Sequence, residues 1–209
     1  VAGFKPEEFG QLAEVAAECG ADGVEMNFGC PNIWDTGEQK GIFSFYPEMI
    51  NEALDSVWSR IEYSLIWMVK VSPFSNPVQL KEVAKAVFTW SVSAIVTSNT
   101  SPNAYDEDDD GKPFITPGEG LAGYAGPGFR PIALGQVKQW REVLPPSIQV
   151  IGVGGISSGK DMVKFFRRNV VAVQAATALL QKGHLDLHVL DRFLLEFSEL
   201  PEIEAKAKV

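Results

Sequence analysis

Histidine and cysteine are both scarce here, with two of each in 209 residues. Cys19 and Cys30 are too few for a disulfide scaffold and fit a reducing, cytoplasmic setting. Cys19 follows a helical stretch beside Val15 and Ala16 and is read as buried, inert filler. His184 and His188 stand four apart with no third ligand, so no metal site is expected. Bases are outnumbered 18 to 27 by acids, for a net charge of −9. That argues against nucleic-acid binding, which needs clustered Lys and Arg against phosphates. No run approaches the roughly 18 apolar residues of a membrane span, so no membrane partner is expected. No signal or lipidation pattern is visible either. The hydrophobic and charged fractions, 45% and 22%, are ordinary for a globular chain and exclude wholesale disorder.

What is present is an alternation. Gly23–Asn27, Leu65–Val71, Ala94–Ser98, Ile148–Val153 and Val170–Ala175 are short apolar runs that read as buried strands. Between them lie helical patterns at Pro6–Glu18, Pro47–Arg60, Pro77–Trp90, Pro131–Val143 and Ser158–Arg167. Four of these open on a proline, whose missing N–H costs nothing in a first turn. A last amphipathic stretch spans Leu185–Phe197. Strands apolar on both faces, alternating with helices, predict parallel βαβ units. Polar or Gly-rich residues follow nearly every strand, which favours a (β/α)8 TIM barrel over a doubly wound sheet. A barrel needs eight strands in roughly 250 residues. Five whole strands, with Val1–Gly3 as the stub of a sixth, predict an incomplete α/β barrel holding about strands 3–8, in one domain over residues 1–209. A chain that opens on Val rather than Met fits the same expectation. Its open sheet edge predicts self-association or a homo-oligomer. Thr100–Gly120 reads as one long irregular loop, either a solvated surface loop or a functional lid.

Chemistry-bearing residues cluster at strand ends. Asn27-Phe28-Gly29-Cys30-Pro31-Asn32 sets two carboxamides around one thiol on a turn. Carboxamides both donate and accept, and so can read a flat ring of carbonyls and N–H groups. Cys30 is then nucleophile, general base or filler. Lys70 interrupts the apolar run Trp67–Val71. Lysine is almost never fully buried unless paired, so it points into the barrel mouth or snorkels at an edge. Gly152–Gly155 and Ala175-Ala176-Thr177 follow the last two strands, where barrels commonly bind phosphate on backbone amides. Plain tight connections would look alike. No basic residue stands near Ala176, leaving amides as the main donors. Ser98-Asn99-Thr100 ends a further strand, and Gly123–Pro131 is Gly-rich.

With these residues in place, the chain resembles the dihydroorotate dehydrogenase family, whose barrels also occur in dihydropyrimidine dehydrogenases. The likeness runs from Val1 to about Leu180. Asn27–Asn32 is similar to the family's active-site loop, and Val69–Pro73 to its flavin-lysine strand. Ser98–Thr100, Gly126-Pro127, Gly152–Gly155 and Ala176-Thr177 match its other motifs. The resemblance implies FMN as cofactor, with Gly154, Gly155, Ala176 and Thr177 on its phosphate. It implies Lys70, Ser98 and Gly126 as further flavin contacts. Asn27, Asn32, Asn99 and Thr100 would bind a pyrimidine, and Cys30 would take a proton as dihydroorotate is oxidised to orotate in pyrimidine biosynthesis. Cys in that loop is similar to the class 1 enzymes. The alternatives are a reductase of uracil or thymine, or a phosphate-binding barrel fragment without redox chemistry. Gly29 and Ala176 stand where the family more often has Ser and Gly, and the Ala176 methyl is expected to loosen the phosphate. The family's first strands supply further contacts, including an Asn and a Lys, that this sequence does not show.

Overall fold

The computed structural model describes residues 1–35, 37–62, 64–181 and 184–200. In chain order the helices are α1 (Pro6–Glu18), α2 (Pro47–Ile61), α3 (Pro77–Thr89), α4 (Arg130–Val143), α5 (Gly159–Phe166) and α6 (His188–Ser198). The strands are β1 (Gly23–Asn27), β2 (Trp34–Asp35), β3 (Glu38–Gln39), β4 (Ile66–Val71), β5 (Ala94–Thr97), β6 (Ser101–Ala104), β7 (Ala122–Tyr124), β8 (Gln149–Val153), β9 (Ala172–Gln174), β10 (Leu180–Gln181) and β11 (His184–Leu185). Five of them form a parallel sheet in the order β1-β4-β5-β8-β9, and the sheet does not close among the described residues. Val1 lies alongside β1: its amino group donates to the Glu25 carbonyl at 2.7 Å, and Asn27 N–H donates to the Val1 carbonyl at 2.9 Å.

The helices cover the outer face of the sheet, where the buried strand residues join the main core. On β4, Trp67, Val69 and Val71 are buried against the helices, while Met68 and Lys70 alternate onto the opposite face. That opposite face carries a second, smaller core of Ala94, Val96, Ile151 and Val153, flanked by Met68 and Ala172. It is the interior side of an incomplete (β/α)8 barrel. The register places Asn27 beside Lys70, Lys70 beside Val96, and Val153 beside Gln174. Val96 in turn pairs with Ile151 and Ile151 with Ala172, so Asn27, Lys70, Val96, Ile151 and Ala172 run in one row across the sheet, with Val153 and Gln174 two residues further along their strands.

Three expectations need correction. Thr100–Gly120 is not structureless: Ser101–Ala104 pairs antiparallel with Ala122–Tyr124. The pairing joins residues about twenty apart, beyond the reach of a local turn signal. Cys19 is exposed rather than buried, because it follows the last turn of α1, whose buried face is Phe9, Gly10 and Ala13. Leu185 belongs to β11 and not to the last helix, which begins at His188.

A polar clamp ties α4 to the segment after β4. The Gln136 carboxamide is buried; its oxygen accepts from Phe74 N–H and its nitrogen donates to the Phe74 carbonyl, both at 2.9 Å. Gln136→Leu would strand both backbone groups, at on the order of 1–3 kcal/mol for each buried group left unsatisfied. Urea denaturation should show a loss of that size, and an unchanged midpoint would contradict the clamp.

Candidate functional site

The C-terminal ends of the strands surround a cavity of about 590 Å³. Lys70 reaches it from β4, Ser98, Asn99 and Thr100 follow β5, and Gly154 and Gly155 follow β8. Gly126, Ala176 and Thr177 complete the part foreseen from sequence. Backbone geometry explains the glycines. Gly155 has φ +71°, and a Cβ there would lie 2.7 Å from both the Arg130 nitrogen and the Gly126 carbonyl oxygen. The turn after β8 thus folds tightly against the start of α4, presenting main chain to the cavity.

That turn is braced from below. The Asp161 carboxylate accepts from Ser157 N–H at 3.2 Å and from the Ser157 hydroxyl at 3.0 Å, and it pairs with Arg130 at 2.9 Å and Lys164 at 3.0 Å. Burial pushes its pKa up, but the hydrogen bonds from Lys164 and Ser157 and the Arg130 charge outweigh this and hold it below the ordinary 3.8. A depressed carboxylate stabilises the fold fully above its unfolded value, and the contribution is lost as pH falls through the lower folded value. Asp161→Asn should therefore cost on the order of 2 kcal/mol at neutral pH, the scale of a hydrogen bond to a charged group. The gap to the unsubstituted chain should narrow below about pH 4. A gap that persists unchanged in denaturation at acid pH would contradict the assignment.

The Asn27–Asn32 loop sits beside this cavity. Asn27 Oδ1 accepts from Asn99 Nδ2 at 2.8 Å and from Gly29 N–H at 3.2 Å, so the carboxamides after β1 and β5 are joined. Asn27, Cys30 and Asn32 are not among the residues lining the main cavity, whereas Asn99 is. Cys30 is half-buried and Asn32 exposed. Ring packing and side-chain hydrogen bonds pin the loop. Phe28 packs edge-on to Phe9 at 4.8 Å and stacks with Phe43 at 6.0 Å. Ser44 Oγ donates to the Phe28 carbonyl at 2.7 Å, and Ser72 Oγ to the Gly29 carbonyl at 3.0 Å. Gln39 Nε2 donates to the Pro31 carbonyl at 2.9 Å and to Asn103 Oδ1 at 2.8 Å. A Cβ on Gly29 would lie 2.7 Å from Ser72 N, so a side chain there would require the loop or the end of β4 to shift in this chain.

Residues 1–196 match the family model described as dihydroorotate dehydrogenase. The chain belongs to the dihydroorotate dehydrogenase family. It is 31% identical over 195 residues to the catalytic subunit of dihydroorotate dehydrogenase B (NAD(+)) from Solidesulfovibrio magneticus, covering 93% of this chain and 60% of that protein. The corresponding subunit from Methanopyrus kandleri is 32% identical over 189 residues, covering 90% of this chain and 57% of that one. Among solved structures, a DHODH from Eimeria tenella in complex with ferulenol superposes with a TM-score of 0.70 at 17% identity, over 96% of this chain and 55% of that one. The chain thus spans somewhat under two thirds of the length of these dihydroorotate dehydrogenases.

Two features of this family member were not foreseen from sequence. Arg192 on α6 lines the cavity alongside Val189, Phe193 and Glu196, a cation in the same cavity as Ala176 but distant from it in sequence. It is paired with Asp186 at 3.3 Å. The spacing of those four residues marks one helical face, but Arg192 there is indistinguishable in sequence from a solvated charge. The second is Glu25 with Gln174, which contact Lys70 in the barrel interior. Among the described residues, no group of three or more His, Cys, Asp or Glu could hold a metal ion. No described helix is long and apolar enough to cross a membrane.

The cavity also fits the implied flavin on its own chemistry. Ser98 lines it and is 2% exposed, yet its hydroxyl has no hydrogen-bond partner. A buried hydroxyl left unpaired is costly, and a polar ligand would satisfy it. Beside it lie the tight glycine turn and a cation, Lys70.

Proposed function

We propose that the cavity holds FMN, and that this chain carries the flavin and pyrimidine contacts of an enzyme oxidising dihydroorotate to orotate. The unpartnered Ser98 hydroxyl, facing the same cavity as Lys70 and the Gly154-Gly155 turn, carries this reading. Main chain at Gly154, Gly155, Ala176 and Thr177 would take the phosphate, with Arg192 able to add charge. Gly126 would let the backbone approach, and Lys70 would sit beside the ring. Bound there, FMN supplies the acceptor for the hydride leaving C6 of the substrate. Cys30 acts as the base that takes the C5 proton, so hydride and proton together leave a carbon–carbon double bond. Asn27, Asn99, Asn32 and Thr100 orient the pyrimidine; the Asn27–Asn99 hydrogen bond supports the two acting as one carboxamide surface.

The test is anaerobic mixing of the FMN-loaded chain with dihydroorotate or dihydrouracil, followed at the flavin absorbance. Bleaching by dihydroorotate alone supports the reading. Bleaching by dihydrouracil alone moves the chain to dihydropyrimidine chemistry, and bleaching by neither removes the redox function. We also propose self-association. Leu180 on β10, Leu185 on β11, Leu187 just before α6, and Leu190, Leu194 and Leu195 on α6 are all at least 43% exposed, and exposed apolar side chains of this kind drive association. Sedimentation should show concentration-dependent species above 22.8 kDa; a monomer throughout would contradict it.

A further inference from the structure

We propose that Glu25 is a positioning residue for Lys70, holding its ammonium at the edge of the cavity with the help of Gln174. This rests on the flavin reading of that cavity. The three side chains form a closed ring of contacts. Lys70 Nζ lies 3.7 Å from Glu25 Oε1 and donates to Gln174 Oε1 at 3.3 Å, while Gln174 Nε2 donates to Glu25 Oε2 at 2.6 Å. The topology makes the arrangement specific. Glu25 is opposite Met68 on the neighbouring strand, two residues below Lys70 on the same inward face. Gln174 comes from β9, at the other edge of the sheet. The ring therefore spans the barrel interior between the two edge strands.

Lys70 lines the cavity and Glu25 does not, so the carboxylate stands behind the ammonium. A lysine has four rotatable bonds and a compact point charge. Left alone beside a cavity of about 590 Å³ it would sample many rotamers. The Glu25 carboxylate and the Gln174 amide oxygen instead fix Nζ from two directions. Gln174 shows its carbonyl to the lysine and its N–H to the carboxylate, which sets its amide orientation. The competing account is that the ring merely fills and bridges the interior. In that case Glu25 would matter for stability whether or not Lys70 is present.

A double-mutant cycle on the 209-residue chain separates the two. FMN affinity, read by fluorescence quenching, is measured for the unsubstituted chain, Glu25→Gln, Lys70→Ala and the double variant. Glu25→Gln is expected to weaken FMN by about five- to tenfold on its own, and by less than about twofold when Lys70 is already alanine. Equal losses in both backgrounds would overturn the positioning role. A flavin-free readout runs beside it: labelling of Lys70 by an amine-directed acylating reagent, quantified by mass spectrometry against the surface Lys138. Glu25→Gln should label Lys70 several-fold faster than the unsubstituted chain, and Glu25→Asp, which keeps the charge on a shorter arm, should fall between. Equal labelling rates in all three would sink the inference while leaving the flavin reading intact. If the unsubstituted chain binds no FMN, the flavin reading fails, and faster Lys70 labelling in Glu25→Gln still upholds the contact.

Discussion

Cys30→Ala is expected to slow flavin reduction by dihydroorotate by about 10²–10⁴-fold, the usual worth of a positioned general base. FMN binding should be unchanged, because Cys30 is not among the residues lining the cavity. The loop itself should survive the change. Its position is set by Phe28 in the Phe9–Phe43 cluster, by Ser72 on the Gly29 carbonyl and by Gln39 on the Pro31 carbonyl, none of which involves the thiol. Cys30→Ser should fall between and gain more from alkaline pH, since a hydroxyl gives up its proton less readily than a thiol. Stopped-flow reduction of the FMN-loaded variants measures this directly. Reduction by Cys30→Ala at the unsubstituted rate would remove Cys30 from the chemistry.

Phe129→Ala should be the most damaging change to the cavity wall. Phe129 is 1% exposed, lines the cavity, and packs directly beneath Gly154, where a Cβ would lie 2.9 Å from its ring. Truncating a buried phenylalanine costs about 3–5 kcal/mol when the neighbourhood cannot collapse. Collapse here is restrained on two sides, by the Asp161–Arg130 pair below and by the Tyr124 ring at 6.4 Å. The loss should appear in urea denaturation. It should also appear as weakened FMN affinity, because the turn after β8 loses its floor. Stability within about 1 kcal/mol of the parent would mean the site had repacked and that Phe129 does not support the turn.

Much of the scaffold is readable in the chain because its signals are local. A proline at the first turn and a fixed apolar period delimit Pro6–Glu18, and the run GVEMN marks Gly23–Asn27; both coincide with the observed α1 and β1. The inward direction of Lys70 also follows from alternation along β4. What escaped is non-local. The β6–β7 pair, the Gln39 link to Asn103 and the Phe74–Gln136 clamp join residues 18 to 64 apart in sequence. Glu25 and Gln174 are 149 positions apart, and each looks like an ordinary polar residue in its own strand. Cys19 misled for a related reason: its neighbours Val15 and Ala16 suggest a buried face, but Val15 is itself 53% exposed. At the site, the motif residues were legible as strand-end clusters. Their division into a main cavity and an adjoining, separately pinned Asn27–Asn32 loop depends on packing, which the sequence does not spell out.

Phosphate binding by the turns after β8 and β9 is separated from ring binding by comparing FMN with riboflavin. The two share the ring and ribityl chain and differ in the phosphate. Fluorescence titration of the 209-residue chain should show FMN quenched at one equivalent and riboflavin bound at least about a hundredfold more weakly, a difference of about 2.7 kcal/mol. Equal affinity for both, or no binding of either, would contradict the account.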